Sequence, residues 1–322
     1  MAKPLIRLER TAEGRTIPGT DQRRPVGSCV QAGKGSSLHL QQSLRVGWMP
    51  GSITFALNHI VSPHRRFSEF LGLARELGVS SVEIRNDLPG VEIADGTPAA
   101  KLRAAAEARD IEILSINALQ RFNDWNPTRA EEAAALARYA RDCGARALVL
   151  CPVNSLEDRR SEQQQRDDLR TALRALMPIL RDNGVTGLVE PLGFEECSLR
   201  YKRSAVDAID EVGGQSVFKL VHDTFHHYLS GETEFFPDRT GLVHISGVVD
   251  TTLAHNDIRD QHRILVGAGD FLGNLAQIRT LLAGGYQGSL SFEPFAESVH
   301  KMEDVAGALR ESMALIRAET AA

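Results

Sequence analysis

Four apolar runs in the second half of the chain each end at a carboxylate or an imidazole. The end residues are Glu190, Asp223, His244 and Glu293. Three carboxylates and one imidazole suit Mn²⁺, Mg²⁺, Zn²⁺ or Co²⁺ as a ligand set. Without a cation, like charges held together in a low-dielectric site repel one another. Taken singly, a strand-end Glu is more often an ion-pair or loop residue, and His244 more often a core histidine. Four in series predict a site for one divalent metal ion.

The elements that would position these residues follow a regular alternation from residue 52 onward, in which short β-rich runs are separated by amphipathic helical runs. The predicted strands are Ile53–Asn58, Ser81–Arg85, Ile113–Asn117, Ala147–Pro152, Gly187–Pro191, Phe218–Asp223, Leu242–Ser246 and Ser289–Glu293. The predicted helices are Arg66–Leu77, Pro98–Arg109, Arg129–Cys143, Glu162–Arg181, Phe271–Leu282 and Asp304–Ala318. Several strand runs are apolar without alternation, which is typical of strands covered on both faces.

This rhythm predicts an α/β fold, and specifically a (β/α)8 TIM barrel. An open doubly wound sheet is the alternative, and such sheets usually carry a glycine-rich phosphate loop after the first strand. Here that strand ends Leu57-Asn58-His59-Ile60, without such a loop. In a barrel of this kind the chemistry lies at the C-terminal ends of the strands. The four candidate ligands are therefore expected to meet at one mouth.

The bulk composition is that of a soluble globular enzyme. The chain has 322 residues, of which 42% are hydrophobic, and a formal net charge of -5. A negative balance gives no general attraction for nucleic acid. Four cysteines without a CxxC pair predict reduced thiols in a cytoplasmic protein. No apolar run reaches the roughly 18 residues of a membrane span, so no membrane partner is expected.

Residues 1–48 differ from the rest, because they are basic and show no sustained hydrophobic period. We expect a disordered N-terminal tail over residues 1–48 and the barrel over residues 49–322. A nucleic-acid-binding arm and a transit peptide are the alternatives for the tail. A start at Met49 is also compatible with the pattern, since the first strand follows directly.

Several stretches of the predicted barrel carry a family resemblance. They are Val82-Glu83-Ile84-Arg85, Ser115-Ile116-Asn117-Ala118-Leu119, Asp223-Thr224-Phe225-His226, Gly267-Ala268-Gly269-Asp270 and Ser291-Phe292-Glu293, together with His244. With these residues the sequence resembles the xylose-isomerase-like TIM barrel superfamily, which contains sugar isomerases, epimerases and AP endonucleases. Within it, the sequence is most similar to the 2-keto-myo-inositol (inosose) isomerases of inositol catabolism. The resemblance runs from about residue 52 to the C-terminus.

The resemblance implies that Glu190, Asp223, His244 and Glu293 bind one divalent ion. It also implies proton transfer beside a carbonyl, with an enediolate stabilised by the metal. One ligand glutamate would remove the proton and the other would return it. Glu190 and Glu293 fit these catalytic roles, and the sequence leaves open which is the base.

Further residues are candidates for binding the substrate. By resemblance these are His226, Glu196 and Arg263. By their position at the ends of strands two and three they are Asn117, Glu83 and Arg85. A structural role is the alternative for each, and for Arg85 an ion pair is equally expected.

The expected activity is isomerisation of a small polyol ketone, with 2-keto-myo-inositol first and a small-molecule ketose or inosose as the only partner class. Ketose 3-epimerase, hydroxypyruvate isomerase and inosose dehydratase are the alternatives within the superfamily. Outside these stand a nuclease of the AP endonuclease type and a barrel that binds sugar without turnover. Asp260-Gln261-His262 resembles a ligand pair of the nucleases, although strands two and three carry Arg85 and Asn117 instead of histidines. A homo-oligomer is compatible with the sequence.

Overall fold

A closed barrel of eight parallel strands forms the centre of the protein, in sequential order from β1 to β8. The computed structural model describes residues 53–320, so the predicted tail lies outside the described residues. The strands are β1 Phe55–Asn58, β2 Ser81–Arg85, β3 Glu112–Gln120, β4 Ala147–Cys151, β5 Thr186–Val189, β6 Phe218–Asp223, β7 Thr240–Ile245 and β8 Leu290–Phe292. The predicted (β/α)8 TIM barrel is confirmed, with each predicted strand overlapping an observed one.

Helices follow the strands around the outside of the barrel. They are α1 Phe67–Glu76, α2 Ala99–Glu107, α3 Pro127–Cys143, α4 Glu162–Asn183, α5 Lys202–Glu211, α6 Thr224–Ser230, α7 Asn274–Ala283, α8 Glu297–His300 and α9 Val305–Thr320. All six predicted helices are present. The sequence analysis missed α5, α6 and α8, and its predicted start for α7, Phe271, precedes the observed start at Asn274.

The longer helices begin and end at residues whose chemistry fixes those ends. The Asn126 side chain accepts a hydrogen bond from the Arg129 backbone and caps α3, and Ser161 forms a capping box with Gln164 at the start of α4. Both helices stop at a glycine in the left-handed conformation, Gly144 with φ 81° and Gly184 with φ 66°. These ends set the lengths of the segments that return the chain to the barrel.

The strand register brings polar side chains together inside the barrel. Asp223 pairs with His244 in neighbouring strands, and His244 pairs with Ser291 of β8. On the other side of the barrel, Glu83 pairs with Ser115. Because the barrel is closed, these residues face one interior although they lie far apart in sequence.

The last helix packs against the first strand. The Arg317 guanidinium of α9 lies 4.9 Å from the centre of the Phe55 ring on β1. Across residues 53–320, no helix combines the length and the apolar character needed to cross a membrane.

Candidate metal centre

Glu190, Asp223, His244 and Glu293 meet at one end of the barrel, as the strand-end pattern predicts. Each offers a ligand atom, and these atoms all lie within 4.8 Å of one another. His244 Nδ1 is 2.8 Å from a Glu190 oxygen, 3.2 Å from Glu293 Oε2 and 3.9 Å from Asp223 Oδ2. Ligands about 2.1 Å from one ion stand roughly 3–4 Å apart. The donor set and its spacing therefore fit one divalent cation.

The His244 ring is oriented from its other nitrogen by Glu83. His244 Nε2 lies 3.1 and 3.2 Å from the two Glu83 oxygens, and both side chains are completely buried. Glu83 also accepts hydrogen bonds from the hydroxyls of Ser115 and Ser291. A carboxylate that holds one imidazole nitrogen directs the other toward a metal ion. Glu83 therefore orients the His244 ring. The predicted contact of Glu83 with substrate hydroxyls stays a prediction.

Glu293 is surrounded by hydrogen-bond donors. Its Oε1 accepts from Asn58 at 3.1 Å, from Asn117 at 3.2 Å and from Arg85 at 3.2 Å, while Oε2 accepts from Arg263 at 3.0 Å. Burial opposes the charged carboxylate, but the charges of His244, Arg263 and Arg85 outweigh it and lower the pKa of Glu293. Glu293 is therefore held in its ionised form.

Arg85 and Asn117, both predicted substrate contacts, reach this centre through Glu293. Arg85 also forms a two-pronged ion pair with Asp87, at 2.9 and 2.8 Å. The alternative raised for Arg85 from the sequence, an ion pair, is thus observed. Neither residue is excluded from substrate contact by these bonds, so that role stays a prediction.

Arg263 bridges two of the candidate metal ligands. Its Nη2 donates to Asp223 Oδ2 at 2.6 Å and to Glu293 Oε2 at 3.0 Å, and its Nε donates to Ser246 at 2.9 Å. Its Nη1 donates to Asp260 at 3.2 Å. A guanidinium has five N–H donors, so one Nη1–H of Arg263 has no partner in this set. The predicted contact of Arg263 with a substrate stays a prediction.

Glu190 is much less engaged than Glu293. Its Oε1 faces His244, and its Oε2 has the thiol of Cys151 at 3.5 Å. Burial, together with the charges of Glu190 and Glu293, raises the pKa of Cys151 well above its usual value, so the thiol keeps its proton and donates weakly. The sequence analysis did not single out Cys151, although it is the last residue of β4 and the strand-end rule points to it.

The two carboxylate oxygens of Asp223 have different partners. Its Oδ1 accepts the backbone N–H groups of Phe225 at 2.7 Å and His226 at 3.2 Å, which caps α6, while Oδ2 faces Arg263 and His244. The ring of His226 packs edge-on against Phe194 and Phe225. His226 is thereby fixed one helical turn from a metal ligand.

The remaining candidates lie farther from the cluster. Glu196 is partly exposed in the segment after β5. Asp260 and His262 belong to a short 3-10 helix, where Asp260 accepts from Arg263 and His262 Nδ1 accepts from the Arg259 backbone at 3.0 Å. Within residues 53–320 the quartet is the only group of three or more such side chains that could hold an ion.

Metal binding to this cluster is expected to release protons near neutral pH. Burial opposes the charged imidazole, but the charges of Glu293, Glu83 and Glu190 outweigh it and raise the pKa of metal-free His244 well above 6.5. An ion at Nδ1 must displace that proton. Apparent affinity should thus rise with pH, by about tenfold per unit below the raised pKa.

Isothermal titration of the chelator-treated protein at pH 7, in buffers with different ionisation enthalpies, measures this release directly. We expect about one proton per ion. Heats that do not depend on the buffer would contradict the charged state assigned to His244.

Comparison with known proteins agrees with the barrel fold. The family profile described as a xylose isomerase-like TIM barrel matches residues 71–319. A crystal structure of a xylose isomerase domain-containing protein from Salmonella typhimurium LT2 has a TM-score of 0.75 and 32% identity, covering 81% of this chain and 96% of that one. No protein of curated function gives a significant match.

Two more distant structures share the fold. The IolI protein, whose crystal structure contains a bound zinc atom, has a TM-score of 0.74 and 19% identity, covering 83% of this chain and 99% of its own. L-ribulose 3-epimerase has a TM-score of 0.63 and 17% identity, covering 84% of this chain and 95% of its own.

Proposed function

Since this chain belongs to the xylose isomerase-like TIM barrel family, we propose that it is a divalent-metal-dependent isomerase of a small polyol ketone, with 2-keto-myo-inositol as its first candidate substrate. The observation that carries the proposal is the convergence of Glu190, Asp223, His244 and Glu293 at one mouth of the barrel. A divalent ion held there would stabilise the negative charge that develops on a carbonyl oxygen as the neighbouring C–H loses its proton. The zinc atom in the crystal structure of IolI, which shares this fold, supports a metal-dependent function.

The two glutamates differ in their hydrogen-bond partners, which supports a different role for each. Glu293 accepts hydrogen bonds from two amides and two guanidinium groups, which stabilise its charge and make it a weak base. Among the described residues, only the Cys151 thiol donates a hydrogen bond to Glu190 Oε2. Glu190 is therefore a better proton acceptor than Glu293. We assign removal of the proton to Glu190. Glu293 starts ionised, so it would first take the hydroxyl proton from the carbon that has lost its hydrogen and then deliver this proton to the former carbonyl carbon, while Glu190 would pass its own proton to the oxygen there.

The polar groups around the cluster suit a substrate rich in hydroxyls. Asn117 Nδ2, Arg85 Nη2 and Arg263 Nη1 each keep one N–H beyond the hydrogen bonds described above. A polyol presents several oxygens that such donors can recognise, and each hydrogen bond to a buried site adds specificity. The same donors would accept a ketose, which keeps ketose 3-epimerase as the second candidate, in line with the fold shared with L-ribulose 3-epimerase.

Proton exchange observed by nuclear magnetic resonance tests this function. The protein, loaded in turn with Mg²⁺, Zn²⁺ or Co²⁺, is incubated in D₂O with 2-keto-myo-inositol, L-ribulose or hydroxypyruvate. We expect deuterium beside the carbonyl and a new ketone, with no loss of water. Elimination of water would identify a dehydratase instead. No exchange with any of the three, in protein carrying one ion per chain, would overturn the proposal for this substrate class.

A further inference from the structure

We propose that a single water molecule, held between Arg200 and His226, keeps His226 Nδ1 without a hydrogen and so makes Nε2–H the donor that this ring offers to the substrate. The substrate part of this inference rests on the proposed function, whereas the water and the tautomer do not. Arg200 would then be a positioning residue, acting on the site through water.

A cavity of about 10 Å³ lies beside His226. It is enough for one water molecule, provided that polar groups line it. Its lining includes Arg200, Lys202, Asp223, His226 and Glu232. The cavity is thus bordered by Asp223, a candidate metal ligand, and by His226, a predicted substrate contact. The charged side chains of Lys202 and Glu232 also line it.

Two polar atoms of the residues lining this cavity have no hydrogen-bond partner among the described residues. They are His226 Nδ1 and Arg200 Nε, and both atoms are buried. The His226 side chain as a whole is 5% exposed. Buried polar groups almost always find a protein or water partner, so one water within reach of both atoms accounts for the two together.

The hydrogen-bond donors and acceptors around the cavity determine how a water molecule in it is oriented. Lys202 Nζ has three N–H donors; two go to Glu232 Oε2 at 2.7 Å and to His227 Nδ1 at 2.6 Å. Burial and the Lys202 charge lower the pKa of His227 to about 3, so that its Nδ1 is a neutral acceptor. The third Lys202 N–H remains for the cavity.

Arg200 Nε can only donate, and so can Lys202 Nζ. A water that accepts from both has used its two lone pairs. Its own hydrogens must then go to acceptors, and oxygens of Asp223, Ser230 and Glu232 line the cavity besides His226 Nδ1. A hydrogen on His226 Nδ1 would find no free lone pair on this water, so the nitrogen can pair with the water only as an acceptor. His226 Nδ1 is therefore unprotonated and the ring hydrogen resides on Nε2. Phe194 and Phe225, whose rings lie 5.2 and 5.1 Å from the imidazole, keep the ring from turning over.

Two measurements on the wild-type, zinc-loaded protein test this arrangement. A high-resolution crystal structure should show an ordered water within about 3.2 Å of both His226 Nδ1 and Arg200 Nε. Long-range ¹⁵N–¹H spectra of the histidine rings should assign His226 as the Nε2–H tautomer. A cavity without water, or a His226 ring protonated on Nδ1, would overturn the proposal.

Arg200→Met, compared with Arg203→Met, tests the link to the substrate. Arg203 is a neighbouring exposed arginine that pairs with Glu234 at 2.6 Å and does not line the cavity. Loss of one such hydrogen bond corresponds to about a fivefold change. We expect R200M to shift the His226 ring signals and to raise KM by about fivefold with kcat little changed, and R203M to do neither.

Unchanged His226 ring signals in R200M would contradict the proposed link from Arg200 through the water molecule to His226. If R200M does not fold, the wild-type spectrum and water position still decide. A water and an Nε2–H tautomer found in a protein that turns over no ketone would leave this arrangement standing and refute the proposed function instead.

Discussion

Replacing Glu190 by Gln is expected to stop both deuterium exchange and product formation, with kcat reduced by about 10²–10⁴-fold, the usual contribution of a positioned acid or base. The amide keeps an oxygen toward the ion but cannot take a proton. One ion per chain should remain bound, measured by atomic emission. Glu195→Gln is the matched control, since Glu195 is exposed five residues further on and contacts Asn256.

Glu293→Gln separates the two glutamates. If Glu190 removes the proton and Glu293 returns it at the next carbon, the variant should still exchange deuterium at the substrate carbon while forming little product. Near-normal product formation by metal-loaded E293Q would show that Glu293 takes no part in proton transfer. Loss of exchange in E293Q but not in E190Q would reverse the assignment.

The second large effect is expected at Glu83, which touches no ion and lies beneath His244. Glu83→Gln weakens the hydrogen bond that orients the His244 ring through Nε2. It also removes the negative charge that favours a hydrogen on Nε2, the arrangement in which Nδ1 can bind a metal ion. Loss of such a partner typically lowers metal affinity by 10–100-fold, and we expect a decrease of about that size for Zn²⁺ in competition with a chromophoric chelator.

Glu112→Gln is the control for this variant. Glu112 is also an acid on a barrel strand, but it lies at the start of β3 and pairs with Arg146, away from the ligands. Its metal affinity should equal that of the wild type. Unchanged affinity in E83Q would mean that His244 is oriented by its packing alone.

The contrast between Glu83 and the quartet shows how far sequence reasoning reaches in a barrel. The quartet could be predicted because each member stands at the end of a strand. Strand ends can be identified from the order of the elements along the chain, without knowing how deep a side chain lies in the barrel. Glu83 and Arg85 both lie near the end of β2, and from that position the sequence predicts contact with a substrate for both. Their depth depends on the stagger between neighbouring strands, here Glu83 beside Ser115, and stagger is a property of the closed sheet.

The helices missed from the sequence have a similar explanation. In α5, Ala205, Val206, Ala208 and Ile209 have helical spacing and could have been recognised. α6 is only one or two turns long, and its start is set by the Asp223 side chain rather than by a hydrophobic period. Short helices of this kind take their stability from tertiary contacts, so local pattern cannot predict them.

The double use of Asp223 ties the local stability of α6 to the assembly of the site. One carboxylate holds the first backbone N–H groups of this helix and, through its other oxygen, faces the metal ligands. Fraying of α6 would displace His226 and leave Asp223, which ends β6, without the backbone N–H groups that hold its Oδ1. Order in α6 and the orientation of the Asp223 carboxylate are therefore linked, and an ion that binds only the ordered arrangement would stabilise the helix by mass action.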